Sequence, residues 1–240
     1  MSMISPMLQL TDVHTFYGDS YVLQGVSLSV QEGSVVALMG RNGTGKTTVI
    51  NSVIGFAPPR HGEVRFEGVD ITRAEPHRIA RMGIGIVPQE RRIFPSLSVR
   101  ENLMIASRRR SGRKSCWDLD RVLESFPVLK ERLNARGRFL SGGELQMLAI
   151  ARALMTNPAL LLMDEAFEGL SPAARLEVKR VIGKLKDEAG LSILLVSHDP
   201  FFTLEVADHV YVMSKGKVVY DSTPRELQDN GEVKASYLGL

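Results

Sequence analysis

Two hydrophobic rhythms alternate along the chain. Near the start, apolar positions are spaced as in half-buried strands: Leu8, Leu10 and Val13, then Val26, Leu28 and Val30. The Tyr17-Gly18-Asp19-Ser20 turn between them predicts a small antiparallel sheet, which Gly62-Glu63-Val64-Arg65-Phe66 joins. Further on, the apolar residues come in short unbroken runs: Val35-Val36-Ala37-Leu38-Met39, Ile84-Gly85-Ile86-Val87, Leu160-Leu161-Leu162-Met163 and Ile193-Leu194-Leu195-Val196. Such runs, bounded by polar or turn residues, predict central parallel strands covered on both faces. Helical signals lie between them. Thr48-Val49-Ile50-Asn51-Ser52-Val53-Ile54 reads as the first turns of one helix, and Met147, Leu148, Ile150, Ala151 and Leu154 as the buried stripe of another.

Helix starts are marked by side-chain caps. Ser98 with Glu101, and Thr223 with Glu226, form capping boxes, while Ser171-Pro172 and Thr223-Pro224 place a hydroxyl before a first-turn proline. Residues 90 to 140 carry helical patterns without a clear strand. The expected fold class is therefore α/β: a mostly parallel core sheet, an N-terminal antiparallel β-subdomain, and an inserted helical subdomain at about 90–155.

Composition narrows this only a little. With 240 residues, 44% hydrophobic and 24% charged, the chain suits one large α/β domain or one domain with an inserted lobe. No run approaches the ~18 consecutive apolar residues that span a bilayer, and the start, Met1 to Leu10, lacks a basic-then-apolar leader pattern. Cys116 is the sole cysteine, so neither an intrachain disulfide nor a cysteine-built metal site is expected. These features together predict a cytosolic protein. A net charge of +3 suits an anionic nucleotide, an anionic membrane surface or neither. The basic run Arg108-Arg109-Arg110-Ser111-Gly112-Arg113-Lys114 reads first as a solvated loop. Its functional alternative is contact with anionic lipid headgroups, worth roughly 1 kcal/mol per charge. A nucleic-acid role would call for interleaved aromatics, and only Trp117 is near.

Three segments carry chemistry. Gly40-Arg41-Asn42-Gly43-Thr44-Gly45-Lys46-Thr47-Thr48 fits the phosphate-loop pattern Gly-x-x-x-x-Gly-Lys-Ser/Thr in the required setting of strand, glycine-rich turn and helix start. The glycines let backbone N–H groups curl around phosphate oxygens, and the helix N-terminus adds partial positive charge. Lys46 is placed to reach the β- and γ-phosphates, and the Thr47 hydroxyl to ligate Mg²⁺. The second segment is the strand that ends in Asp164-Glu165. There the first carboxylate can hold Mg²⁺ and the second can orient and deprotonate an attacking water. The third, Leu140-Ser141-Gly142-Gly143-Glu144-Leu145-Gln146, opens the helix that carries Met147, and a Ser-Gly-Gly helix start is a second anion site.

Together and in this order, the three segments resemble the ATP-binding cassette (ABC) ATPases, whose signature is Leu-Ser-Gly-Gly-Gln or a close variant. The resemblance spans essentially residues 1–240, and it implies a P-loop NTPase core that hydrolyses ATP with Mg²⁺. By motif, it implies that Gly40, Asn42, Gly43, Gly45, Lys46, Thr47 and Thr48 hold the nucleotide phosphates and that Tyr17 stacks on adenine. Glu165, His198, Gln89 and Lys46 are the implied catalytic set, with Thr47, Gln89 and Asp164 around the metal. Ser141, Gly142 and Gly143 would bind the γ-phosphate of ATP held by an opposite subunit, so that two ATPs are sandwiched in a head-to-tail pair. Three positions depart from the family pattern: Glu144 replaces the signature glutamine, Ala166 stands where proline is common, and Ser171 stands where many members have aspartate. None removes a phosphate or metal ligand; all bear on the interface.

Within the family, Glu168-Gly169-Leu170-Ser171-Pro172, Phe126 to Arg132, Gln146 to Leu154 and the end Ser236-Tyr237-Leu238-Gly239 resemble the shorter ATPase of branched-chain amino-acid uptake systems. The start Gly40-Arg41-Asn42-Gly43 looks like urea-uptake relatives. His198 is instead shared with lipopolysaccharide-export ATPases. The implied assembly is a second, related but non-identical ABC ATPase, two membrane permease subunits and a periplasmic solute-binding protein, with the chain peripheral on the cytoplasmic side of the inner membrane. The alternatives are an ATPase of lipid or lipopolysaccharide export, or a soluble non-transport cassette acting on nucleic acid or the ribosome. The latter usually has two cassettes or a long coiled-coil insertion, so no nucleic-acid partner is expected.

Overall fold

The computed structural model describes residues 6–107 and 117–239. The basic run 108–114 and Cys116 lie outside the described residues.

The chain opens with strands β1 (Leu8–Tyr17) and β2 (Ser20–Val30), followed by β3 (Val35–Met39) and helix α1 (Lys46–Val53). Strands β4 (His61–Phe66) and β5 (Val69–Asp70), helix α2 (Pro76–Met82) and strand β6 (Ile84–Val87) come next. Helices α3 (Val99–Ala106), α4 (Leu119–Ser125), α5 (Pro127–Glu131) and α6 (Gly142–Leu154) follow among the described residues. The remainder is β7 (Leu160–Asp164), α7 (Pro172–Asp187), β8 (Ser192–Ser197), α8 (Pro200–Thr203), β9 (His209–Ser214), β10 (Lys217–Ser222), α9 (Pro224–Asp229) and α10 (Gly231–Val233).

Among the described residues the strands form two sheets. One is antiparallel, in the order β2-β1-β4-β5. The other runs β10-β9-β3-β8-β7-β6 and is parallel except for its β10 edge. The apolar spacing of β1 has a local cause. Leu8 and Leu10 are buried two apart, but the next buried residue is Val13, because the register shifts there and Asp12 takes φ 48°. The bulge turns Val13 back onto the core face.

The larger sheet is the middle layer. Alternate residues of β7 point to opposite sides: Leu161 and Met163 join the core packed with α4, α6 and α7, whereas Leu160 and Leu162 join the core shared with the antiparallel sheet and α1. Burial on both faces is why β3, β7 and β8 read as unbroken apolar runs. Trp117 is in the first of these cores, with the Arg121 guanidinium 4.2 Å over its ring.

The hairpin β9–β10 was not anticipated from sequence. Its two-residue turn, Lys215-Gly216, has φ 47° and 77°, as type I′ hairpins require. A side chain at Gly216 would sit 2.0 Å from the Val22 carbonyl oxygen, so only glycine fits. The turn is bonded on both sides: Gln24 N–H donates to the Gly216 carbonyl at 2.8 Å, and Gly216 N–H donates to the Thr44 carbonyl at 3.0 Å. The hairpin thus ties the antiparallel sheet to the loop after β3.

Candidate active site

The loop between β3 and α1 is wrapped around its own lysine. Lys46 Nζ donates to the carbonyls of Gly40 at 2.8 Å and Arg41 at 3.2 Å. The Arg41 carbonyl also accepts from the Thr44 hydroxyl at 2.9 Å. Gly40 has φ 149° and passes so near β9 that a Cβ there would lie 2.4 Å from the Met213 carbonyl oxygen. Gly45, at φ 105°, starts α1 with no side-chain cap, and its first turn carries no acidic residue. The first amides of that helix are left for an anion, which is the chemistry a phosphate needs.

Asp164 ends β7 beside this helix start. The Thr47 hydroxyl donates to Asp164 Oδ1 at 3.3 Å. Burial pushes the Asp164 carboxyl above the ordinary aspartate value. The Thr47 hydrogen bond and the Lys46 ammonium oppose that shift, while the Glu165 and Glu168 charges add to it. A hydroxyl and a carboxylate side by side fit Mg²⁺, which completes its shell with water and phosphate oxygens. No group of three or more His, Cys, Asp or Glu able to hold a cation occurs among the described residues. The donor set therefore suits a metal held jointly with phosphate rather than an all-protein cage.

Glu165 is the most constrained residue of the site. Its φ is 50°, a left-handed value that costs a non-glycine residue about 1–2 kcal/mol. Its N–H is anchored to the Val196 carbonyl on β8 at 2.9 Å. One carboxylate oxygen lies 3.3 Å from Lys46 Nζ. The other accepts from the His198 N–H at 3.1 Å and faces His198 Nδ1 at 2.8 Å. Since an ionised carboxylate only accepts, Nδ1 carries the proton. Lys46, Thr47, Asp164, Glu165 and His198, from three separate segments, are thus brought together.

Gln89 follows β6 and reaches the same place. An open depression of about 330 Å³ is lined by Asn42, Gly43 and Gly45 of the loop, by Lys46, Thr47 and Thr48 of α1, and by Gln89 and Glu165. Gln89 Nε2 donates to Glu168 Oε2 at 2.6 Å. Arg91, two residues on, donates through Nε to Gln146 Oε1 at 2.9 Å and through Nη2 to the Glu168 carbonyl at 3.3 Å. Neither Glu168 nor Arg91 was singled out for a role from sequence. Glu168 stands in the quoted run Glu168 to Pro172, but its partner Gln89 is 79 positions away, so the sequence carried no signal of the pairing.

Tyr17 ends β1, exposed, with its hydroxyl accepting from Asn51 Nδ2 of α1 at 3.0 Å. Its ring is open to a ligand while its hydroxyl is tied to the phosphate-loop helix. Ser141 is the N-cap of α6: its hydroxyl accepts from Glu144 N–H at 3.3 Å, and Glu144 Oε2 accepts from Ser141 N–H at 2.7 Å. Glu144 also takes an ion pair from Arg132 at 3.2 Å. The unusual glutamate of the signature is therefore a capping-box acid. Ser141, Gly142 and Gly143 do not line the Lys46 depression; Gly143 instead borders a separate apolar groove of about 380 Å³. Ser171, in place of aspartate, caps α7 through its hydroxyl and the Ala174 N–H at 3.3 Å.

Comparison with known proteins shows the family. The profile of the family described as ABC transporter matches residues 23–168. The chain is 39% identical to the high-affinity branched-chain amino acid transport ATP-binding protein BraG of Pseudomonas aeruginosa, over 97% of this chain and 100% of that protein. It is 38% identical to the lipopolysaccharide export system ATP-binding protein LptB of Escherichia coli, over 93% of each. Among solved structures, a dimeric post-hydrolysis ATP-binding cassette bound to ADP and Pi matches with a TM-score of 0.78 at 27% identity, over 91% of this chain and 99% of that one.

Proposed function

The chain belongs to the ABC transporter family and is an ATPase; from that premise we propose that it powers uptake of branched-chain amino acids or related small polar solutes. The observation that carries the catalytic part is the convergence of Lys46, Thr47, Asp164, Glu165 and His198 around the loop. The uptake part is supported by identity to BraG along the full length of that protein.

In this reading the phosphates of ATP enter the uncapped start of α1, and the amides of Gly43, Gly45 and Lys46 receive them. Lys46 is drawn from Glu165 onto the β- and γ-phosphates. That exchange frees a Glu165 oxygen, which takes a proton from the attacking water as the water oxygen bonds to the γ-phosphorus and the bond to ADP breaks. His198 gives Nδ1–H to Glu165, so its Nε2 can donate to the γ-phosphate only as the imidazolium. Thr47 and Asp164, with Gln89, would hold Mg²⁺, which supplies charge neutralisation on the β- and γ-phosphates. Tyr17 offers its ring to adenine. Ser141, Gly142 and Gly143 serve the ATP of a second cassette, related but not identical. The pair docks on two permease subunits fed by a periplasmic solute-binding protein, peripheral to the cytoplasmic side of the inner membrane.

A second reading, lipopolysaccharide export, is favoured by His198 and by the near-equal identity to LptB. Deleting the coding sequence from the source cell separates the two. Loss of labelled leucine uptake supports the first reading. Intact uptake with loss of surface lipopolysaccharide replaces it with the second.

A further inference from the structure

We propose that Glu168 is a positioning residue that fixes which end of the Gln89 carboxamide faces the active site, and that Arg91 holds the two together. The proposal rests on the reading of Gln89 as a group that meets the metal and the attacking water, and adds what aims it.

A carboxamide has two ends of nearly equal shape and opposite chemistry. Its oxygen can approach a cation or accept a water proton; its NH₂ can do neither. An ionised carboxylate accepts hydrogen bonds and donates none. Only the NH₂ end of Gln89 can therefore satisfy Glu168, and the 2.6 Å contact from Nε2 to Glu168 Oε2 commits that end. Oε1 is left as the end available to the depression that Gln89 lines with Lys46, Thr47 and Glu165. A neutral amide at position 168 would accept either orientation.

Both partners are held. Glu168 N–H donates to the Glu165 carbonyl at 3.0 Å, so Glu168 is fixed to the residue that carries the proposed base. The Glu168 carbonyl accepts from Arg91 Nη2 at 3.3 Å. Arg91 N–H returns to the Pro88 carbonyl at 3.0 Å, beside Gln89. The ring formed by Gln89, Glu168 and Arg91 is then fastened to α6. Arg91 Nε donates to Gln146, which is 3% exposed, and Arg152 Nη2 donates to the Arg91 carbonyl at 3.0 Å. Arg91 takes φ 60°, a left-handed value for a residue other than glycine, and these contacts hold it there. The aim of Gln89 is thereby set from the helix that Ser141 opens.

The test uses the full chain in its assembled complex, with Gln89→Ala, Glu168→Gln and the double variant. Glu168→Gln is expected to lower kcat about tenfold, the low end of what orienting partners supply, with KM for ATP unchanged. Added to Gln89→Ala it should cost nothing further. Independently of turnover, the side-chain NH₂ resonances of Gln89 in metal-free, nucleotide-free protein should show a proton protected from exchange, and lose it in Glu168→Gln. If Gln89→Ala slows hydrolysis while Glu168→Gln changes neither kcat nor those resonances, the proposal is overturned and the reading of Gln89 stands. If Gln89→Ala leaves kcat intact, both fall.

Discussion

Lys46 Nζ lies 3.3 Å from Glu165 Oε1, and both side chains are withdrawn from solvent, at 5% and 7% exposure. The proposed phosphate-binding cation and the proposed general base are thus ion-paired to each other. Glu165→Gln keeps the shape and loses the basicity. It is expected to bind Mg-ATP nearly as well as the unmodified chain but to hydrolyse it at least about a hundredfold more slowly, and to accumulate as an ATP-bound dimer. Lys46→Ala should lose affinity first. Single-turnover hydrolysis beside nucleotide titration separates the two, and a normal single-turnover rate in Glu165→Gln would remove Glu165 as the base.

Glu144 makes the start of α6 sensitive to acid. The Ser141 N–H leads the influences that hold its carboxyl below the ordinary glutamate value of 4.5, with the Ser141 hydroxyl and Arg132 adding to it and burial opposing. A carboxyl depressed on folding contributes stability that is fully present above 4.5 and is lost as pH falls through the lower folded value. Glu144→Gln removes that titration. Urea unfolding from pH 7 down to pH 3 should show the unmodified chain losing its advantage over Glu144→Gln below about pH 4.5. A constant gap across that range would contradict the assignment.

Ser141 separates capping from catalysis. Ser141→Ala should cost about 1 kcal/mol of stability through the lost N-cap, read by chemical denaturation. Ser141→Arg should leave ATP affinity of the single chain intact, since the depression around Lys46 does not include it. In the assembled complex the same substitution should abolish most hydrolysis. Untouched hydrolysis there would refute the shared-site arrangement.

Base selectivity should be weak. In the proposed reading the loop amides, Lys46 and Thr47 all meet phosphate, and Tyr17 is the ring offered to the base. A competition titration is expected to show GTP displacing ATP at comparable concentrations. Tyr17→Phe should bind ATP normally, and Tyr17→Ala should bind it about tenfold or more weakly, the scale of one lost base–aromatic stack. Strong preference for one purine would point to a base-reading group elsewhere.

The elements that bear the chemistry were the legible ones. β3, β7 and β8 are buried on both faces, so their apolar runs stand out, and the loop and acidic pair follow at their ends. The caps at Ser98, Ser171 and Thr223 were readable because capping is local, whereas the same Ser-x-x-Glu pattern at Ser141 and Glu144 was read only as an anion site. β9 and β10 were harder. The buried run of β9, Val210 to Met213, is bounded by His209 and Ser214 and leads straight into β10, a half-exposed edge. Glu168 and Arg91 were missed for another reason. Their partners, Gln89 and Gln146, are 79 and 55 positions away, and no local pattern announces a hydrogen bond across that distance.

The strand order also governs when the site can come into being during synthesis. β3 leaves the ribosome early, yet its two neighbours in the sheet are β8 and β9, and Gly33 waits for Ser192, 159 positions later, to receive its hydrogen bond. Until residue 214 has emerged, the strand that leads into the phosphate loop has at least one raw edge, and the Gly216 turn that braces Thr44 does not exist. A nascent chain halted before that point would present an apolar strand with open edges, a substrate for chaperones and for misassembly rather than for ATP.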